Sequence, residues 1–282
     1  MKELPIEIMD KIDRYEPVTV EGITLYPVRV SESRAFEFGR VALECVQQSL
    51  PVAFLSVPLL TAFYQMDLEA LQTTGQVSGW MSSAIALLFL CLRLGEGMEP
   101  TELAKRTLIL PDENNPQKLR EIRFLTEDGA VSVTPRTFAR LRPVIAAQNG
   151  IRLPSDTANP EILKMEAMMA KKELEGLEIR LSDKVIFAAQ GCGLPEEEVW
   201  GWPILKLDRN VEILRRRLDY LAVTTGQMSG MVSFKDGNPV PSPYWGRKRS
   251  GLASMQSLGA VGNGAAENAV RAQENQPNNT KE

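Results

Sequence analysis

The chain has 282 residues, 44% of them apolar and 24% charged, a balance that excludes disordered and fibrous classes and provides for a real interior in one large domain or two small ones. A formal net charge of −4 leaves no global positive field to draw in nucleic acid or anionic lipid. Histidine is absent, which removes Ser-His-Asp and Cys-His nucleophile systems, HExxH metalloproteases, histidine-ligated metals and the commonest general base.

Residues 17 to 30, "PVTVEGITLYPVRV", alternate apolar and polar on both sides of Glu21-Gly22. They predict a β-hairpin whose glycine supplies positive φ at the turn, with Pro27 making the second strand an edge or bulged one. "SESRAFEFGRVALECVQQSL" opens on a serine suited to capping a helix, and Phe36, Val41, Ala42 and Cys45 then fall at helical spacing. After Pro51 and Pro58 a second helix holds Leu59, Leu60, Phe63 and Tyr64 as core positions. "WMSSAIALLFLCLRL", Trp80 to Leu94, is shorter than the roughly 20 residues that cross a bilayer and is read as a central core helix.

Next, "LILP" from Leu108 predicts a strand, and "IRFLTEDGAVSVT" a hairpin turning at Asp128-Gly129. It leads into a helix with Thr134 as N-cap, Pro135 in the first turn and Asn149-Gly150 as the stop; Phe138, Leu141, Ile145 and Gln148 share one face, and Pro143 is expected to kink it or delay its start. "RLPSDTANP" reads as a boundary, followed by a charged connecting helix with Met165, Met168 and Met169. A helical unit follows: a capped helix over "SDKVIFAAQGCGL", a short turn over "PEEEVWGW", and a long amphipathic helix from Asp208 with a stripe of Val211, Leu214, Leu218, Leu221 and Ala222. The expected organisation is an N-terminal α+β domain over 1–151, a connecting segment over 152–181, a helical domain over 182–245 and a disordered tail over 246–282, predominantly helical with two small hairpins in the first half.

The sites this pattern offers are few. Cys45, Cys91 and Cys192 are far apart and odd in number, which fits small buried hydrophobes better than a disulfide framework or a zinc site. No phosphate-binding glycine loop precedes a helix, so no cofactor and no catalytic set is expected. "KVIFAAQGCGLPEEEVWGWP" has the outline of a helix-turn-helix, yet Glu196, Glu197 and Glu198 stand where a recognition helix presents groups to DNA, and acids there repel phosphate. Arg215, Arg216 and Arg217 wind around a helix turn rather than converging on one face. Two readings apply to Trp200, Trp202 and Pro203: a packing corner in which Val199 and Trp200 meet neighbouring helices, or a partner-binding anchor in which Trp202 is partly exposed. Met165, Met168 and Met169 offer an adaptable binding face or a solvated helix. The N-terminal "MKELPIEIMDKIDRYEP" lacks the apolar core of a signal peptide, which points to a reducing, cytoplasmic setting.

Several pieces in this order, "LPIEIMDKIDRYEPVTVEGITLYPVRV", "QQSLPVAFLSVPLLTAFYQMD", "TPRTFARLRPVIAAQNGI", "LPEEEVWGWPILKL" and "RRRLDYL", resemble the tail assembly chaperones encoded in tail modules of phages and prophages of Gram-positive bacteria. The resemblance spans roughly residues 3 to 245. It implies a non-catalytic protein of the host bacterial cytoplasm that shields the long helical tape measure protein, helps recruit tail tube subunits and is then displaced, with self-association possible and neither membrane nor nucleic acid as partner. The chain is larger than many of these chaperones, which leaves open a permanent tail component, such as an initiator or connector subunit.

Overall fold

The computed structural model describes residues 4–94, 100–127, 129–153, 165, 168 and 180–229. Most of the expected connecting segment, Met169 and the expected tail therefore lie outside the described residues. The fold is α+β and mainly helical, with a two-stranded and a three-stranded antiparallel sheet. Two compact units divide the chain, Met1–Glu212 and Ile213–Glu282. The division falls inside the segment expected as a helical domain at 182–245.

α1 (Ile6–Asp13) precedes the first hairpin, β1 (Val18–Val20) and β2 (Ile23–Leu25). Both of its turn residues, Glu21 and Gly22, have positive φ (51° and 80°), the pattern of a type I′ turn that matches the twist of the flanking strands. The Arg140 guanidinium pairs with the Glu21 carboxylate beside that turn. β2 stops at Leu25; Tyr26 to Arg29 continues extended into a 3-10 turn that begins at Val30, and this segment is bonded to other parts of the unit.

α2 (Ser33–Glu44), α3 (Leu59–Thr74) and α4 (Trp80–Leu92) form the main helical layer. α4 is central: Ala84, Leu87, Leu88 and Cys91 are fully buried, as expected of its apolar sequence. Its first turn is held by Asp67 of α3, whose carboxylate accepts from the backbone N–H groups of Trp80 (3.2 Å) and Met81 (2.9 Å) and from the Ser78 hydroxyl. A carboxylate there satisfies donors that the helix leaves unpaired and sits at the positive end of its dipole.

α2 approaches α4 at Gly39, where a Cβ would lie 2.9 Å from the Leu87 Cα, closer than non-bonded carbons tolerate. The Ser83 hydroxyl crosses the same contact, donating to the Phe38 carbonyl (2.7 Å) and accepting from the Ala42 N–H (3.2 Å). This geometry corrects the expected α2 face: Phe36, Ala42 and Cys45 are buried, but Val41 is 53% exposed and Gly39 and Leu43 point inward instead. Glu32 rather than a serine stands at the N-cap of α2 and makes no side-chain bond to it; its carboxylate accepts from the Arg29 N–H (2.8 Å), closing the 3-10 turn Val30–Glu32 ahead of α2. At the other end Arg142 donates to the Leu43 (2.8 Å) and Cys45 (2.5 Å) carbonyls, a cation on the negative end of α2.

After α5 (Pro100–Lys105), β3 (Thr107–Pro111), β4 (Leu119–Thr126) and β5 (Gly129–Val133) form a meander in that order. Thr126 pairs with Gly129, so Gly129 belongs to β5 rather than to the turn where it was expected; Asp128 lies outside the described residues. Ile122, Phe124 and Val133 are buried toward the helices. α6 (Pro135–Gln148) starts on the expected cap, Thr134 Oγ1 accepting from the Thr137 N–H at 3.1 Å, and runs through Pro143 without a delayed start. Its four expected face residues are all buried. α7 (Leu181–Cys192), α8 (Glu196–Trp200) and α9 (Ile204–Ser229) complete the described chain.

Gly39→Ala should destabilise the first unit by about 1–3 kcal/mol, because the added methyl meets the α4 backbone rather than a movable side-chain end, and the urea midpoint measures this. The thiols make a second check. Burial pushes the Cys91 thiol far up and the Cys45 thiol up as well, and both are buried, whereas Cys192 is exposed against expectation. A disulfide reagent should therefore titrate Cys192 rapidly in the native protein and all three cysteines only after unfolding.

Candidate partner-binding site

The second core is built around the expected Trp200-Trp202-Pro203 corner. Pro195 sits at the N-cap of α8, and Glu196, Glu197 and Glu198 fill its first turn, where their charge favours the helix dipole. Gly201 ends the helix after Trp200, and the Trp202 N–H returns to the Val199 carbonyl at 3.0 Å. That reversal points Trp202 inward, among Val185, Ala188 and Ala189 of α7, Val199 of α8, Leu207 of α9 and Val30.

Trp202 is only 6% exposed, which corrects the expectation of a partly exposed anchor. Lys206 Nζ lies 4.0 Å from the ring centroid, a cation–π contact one helical turn on. Trp200 is the less buried of the pair and packs against the edge of the same cluster. Pro203 forms an isolated antiparallel bridge with Arg29 and immediately precedes α9, so the long helix begins at Ile204 rather than at Asp208. The corner is thus structural at Trp202, with Trp200 as its accessible side.

Met165 and Met168 are helical and exposed, at 58% and 70%, while Met169 lies outside the described residues. The stripe of α9 divides. Leu207 and Val211 contribute to the second core, whereas in the second unit Leu218 is 55% exposed, Leu221 48% and Met228 84%. Sequence periodicity marks this stripe but carries no information on how far along it the protein itself supplies a neighbour.

A cavity of about 640 Å³ opens between α2, the Asn149–Arg152 turn and the starts of α7 and α9. Its charges are paired within the protein: Arg40 with Glu44 at 2.9 Å and Glu37 at 3.4 Å, and Lys184 with Asp208 at 2.8 Å. The hydrogen bond that Arg40 donates to the Glu44 carboxylate raises the Arg40 pKa, against an opposing effect of burial. Such half-exposed pairs orient side chains and contribute little net stability. Among the described residues no group of three or more Cys, Asp or Glu side chains is placed to hold a metal ion, and no helix is long and apolar enough to cross a membrane. The α7-turn-α8 pair has the helix-turn-helix outline, but α8 is five residues long and begins with the three glutamates.

Comparison with protein-family models, curated proteins and solved structures returns no match to this chain.

Trp202→Ala should cost about 3–5 kcal/mol, the range for emptying an aromatic core position, and should lower the melting temperature, whereas Trp200→Ala should cost much less. Thermal melts of the two single variants side by side measure the difference.

Proposed function

We propose that the protein is a non-catalytic tail assembly factor of a phage or prophage, acting in the host cytoplasm as a chaperone of the tape measure protein and helping to recruit tail tube subunits. The observation that supports this reading is the apolar row that α9 leaves exposed at Leu218, Leu221 and Met228. A protein that shields apolar helical stripes transiently has to offer apolar surface of its own without sealing the contact permanently. The exposed Met165 and Met168 fit the same task, since an unbranched thioether adapts to irregular partners. Leu207 and Val211 tie the start of α9 to the second core.

Co-expression of the full chain with a fragment of the tape measure protein from the same tail module should yield a complex that survives affinity purification and gel filtration. Failure to retain any tail protein overturns the reading. Mass spectrometry of purified mature tails decides its form: absence of the chain is expected of a chaperone, and a fixed copy number makes it a permanent tail component instead.

A further inference from the structure

α9 keeps a row of apolar side chains at helical spacing beyond the stretch that the first unit covers. Val211, Leu214, Leu218, Leu221 and Met228, with Thr225 between the last two, stand at alternating steps of three and four residues, the a and d positions of a helix that lies along another helix, and Ile213 and Tyr220 border the row at c. Such a seam fits the side of a second helix whose own apolar row interleaves with it. Val211 is packed within the first unit, while Leu218, Leu221, Thr225 and Met228 are exposed in the second.

Charge at the flanks of the seam says what kind of helix it suits. With Leu218 at an a position, Arg215 takes the preceding e position and Arg217 the g position, one on each side, and the next flanking residues are Ala222 and Thr224. This is why the arginine run does not converge on one face: it straddles the apolar row. The acids of this stretch, Glu212 and Asp219, fall at b, away from the seam. A second copy of the helix therefore brings no carboxylate to the flanks that face Arg215 and Arg217.

We infer that the α9 seam from Leu214 to Met228 docks one amphipathic helix of another protein whose own apolar a/d row is flanked by Glu or Asp. Flanking charges in such pairs set partner choice and orientation, and the seam supplies the burial. The inference rests on the assembly reading only for the identity of the helix-bearing protein; the chemistry of the helix follows from α9 itself.

The test uses the full chain and two synthetic four-heptad peptides with Leu at a and d, one carrying Glu at e and g and the other Lys, titrated by fluorescence anisotropy. The Glu peptide should bind about tenfold or more tightly than the Lys peptide at low salt, with the gap narrowing as salt rises. Arg215→Glu with Arg217→Glu should reverse the preference, and Leu218→Ser with Leu221→Ser should abolish binding of both peptides while circular dichroism shows the helix content retained. The charge-reversed variant alters only residues on an exposed helix, so it decides the matter even where the serine variant fails to fold. Equal affinity for the two peptides, or an unchanged preference after charge reversal, overturns the inference, as does a homodimer in sedimentation that Leu218→Ser dissociates. Retention of a tape measure fragment by the serine variant sinks the seam and spares the assembly reading. Seam-dependent binding of the Glu peptide without capture of any tail protein does the reverse.

Discussion

The first unit depends on the segment Tyr26 to Val30, which gives its backbone groups to three separate parts of the chain. The Tyr26 N–H donates to the Cys91 carbonyl at the end of α4 (2.7 Å), and the Val28 N–H to Asn149 Oδ1 at the end of α6 (3.0 Å). The Val28 carbonyl accepts from Ile204 (2.9 Å) and the Val30 N–H donates to the Trp202 carbonyl (2.8 Å). Val28 and Val30 are fully buried, so each backbone group left unpaired there carries a desolvation penalty of about 1–3 kcal/mol. Pro27 lacks an N–H and suits a segment that leaves its hairpin to join other elements. Arg93 at the end of α4 adds a cation–π contact to Tyr26, with its charge 4.6 Å from the ring centroid.

Around this seam the buried polar side chains act as fasteners. Gln148 donates to the Leu25 carbonyl, and Asn149 accepts from Val28 while donating to the Ile145 carbonyl of its own helix. Asp67 fixes α4 to α3, and Ser83 fixes it to α2 where Gly39 removes the side chain that would hold the helices apart. Apart from Gln148 Oε1, which is buried without a partner, these groups are paired, and the pairs link different elements, which sets the register between them.

Local signals were legible in the sequence where local physics decides. The Glu21-Gly22 turn, the Thr134 cap, the Asn149-Gly150 stop and the face of α6 all follow from residues within a few positions of one another. Contacts between distant segments were not legible. Val41 fits the helical spacing of α2 as well as Gly39 does, and only the approach of α4 makes the glycine the inward residue. Trp202 follows a glycine and precedes a proline, a setting equally open to solvent or core; its burial is decided by Val185, Ala188 and Ala189 of α7 and by Val30, far away in sequence. For the candidate surface, the α9 stripe was visible as a pattern, while its division into a buried beginning and an exposed remainder depends on what else the fold places there.

The Tyr26–Val30 segment also carries a consequence in time. Its partner at the end of α6, Asn149, lies 121 residues downstream of Val28, and Trp202 and Ile204 come later still. During synthesis from the N-terminus, Val28 and Val30 leave the ribosome long before the residues that cover them. The nascent chain therefore carries an open, apolar edge through most of its translation, and the two cores close together only once α9 has begun to emerge.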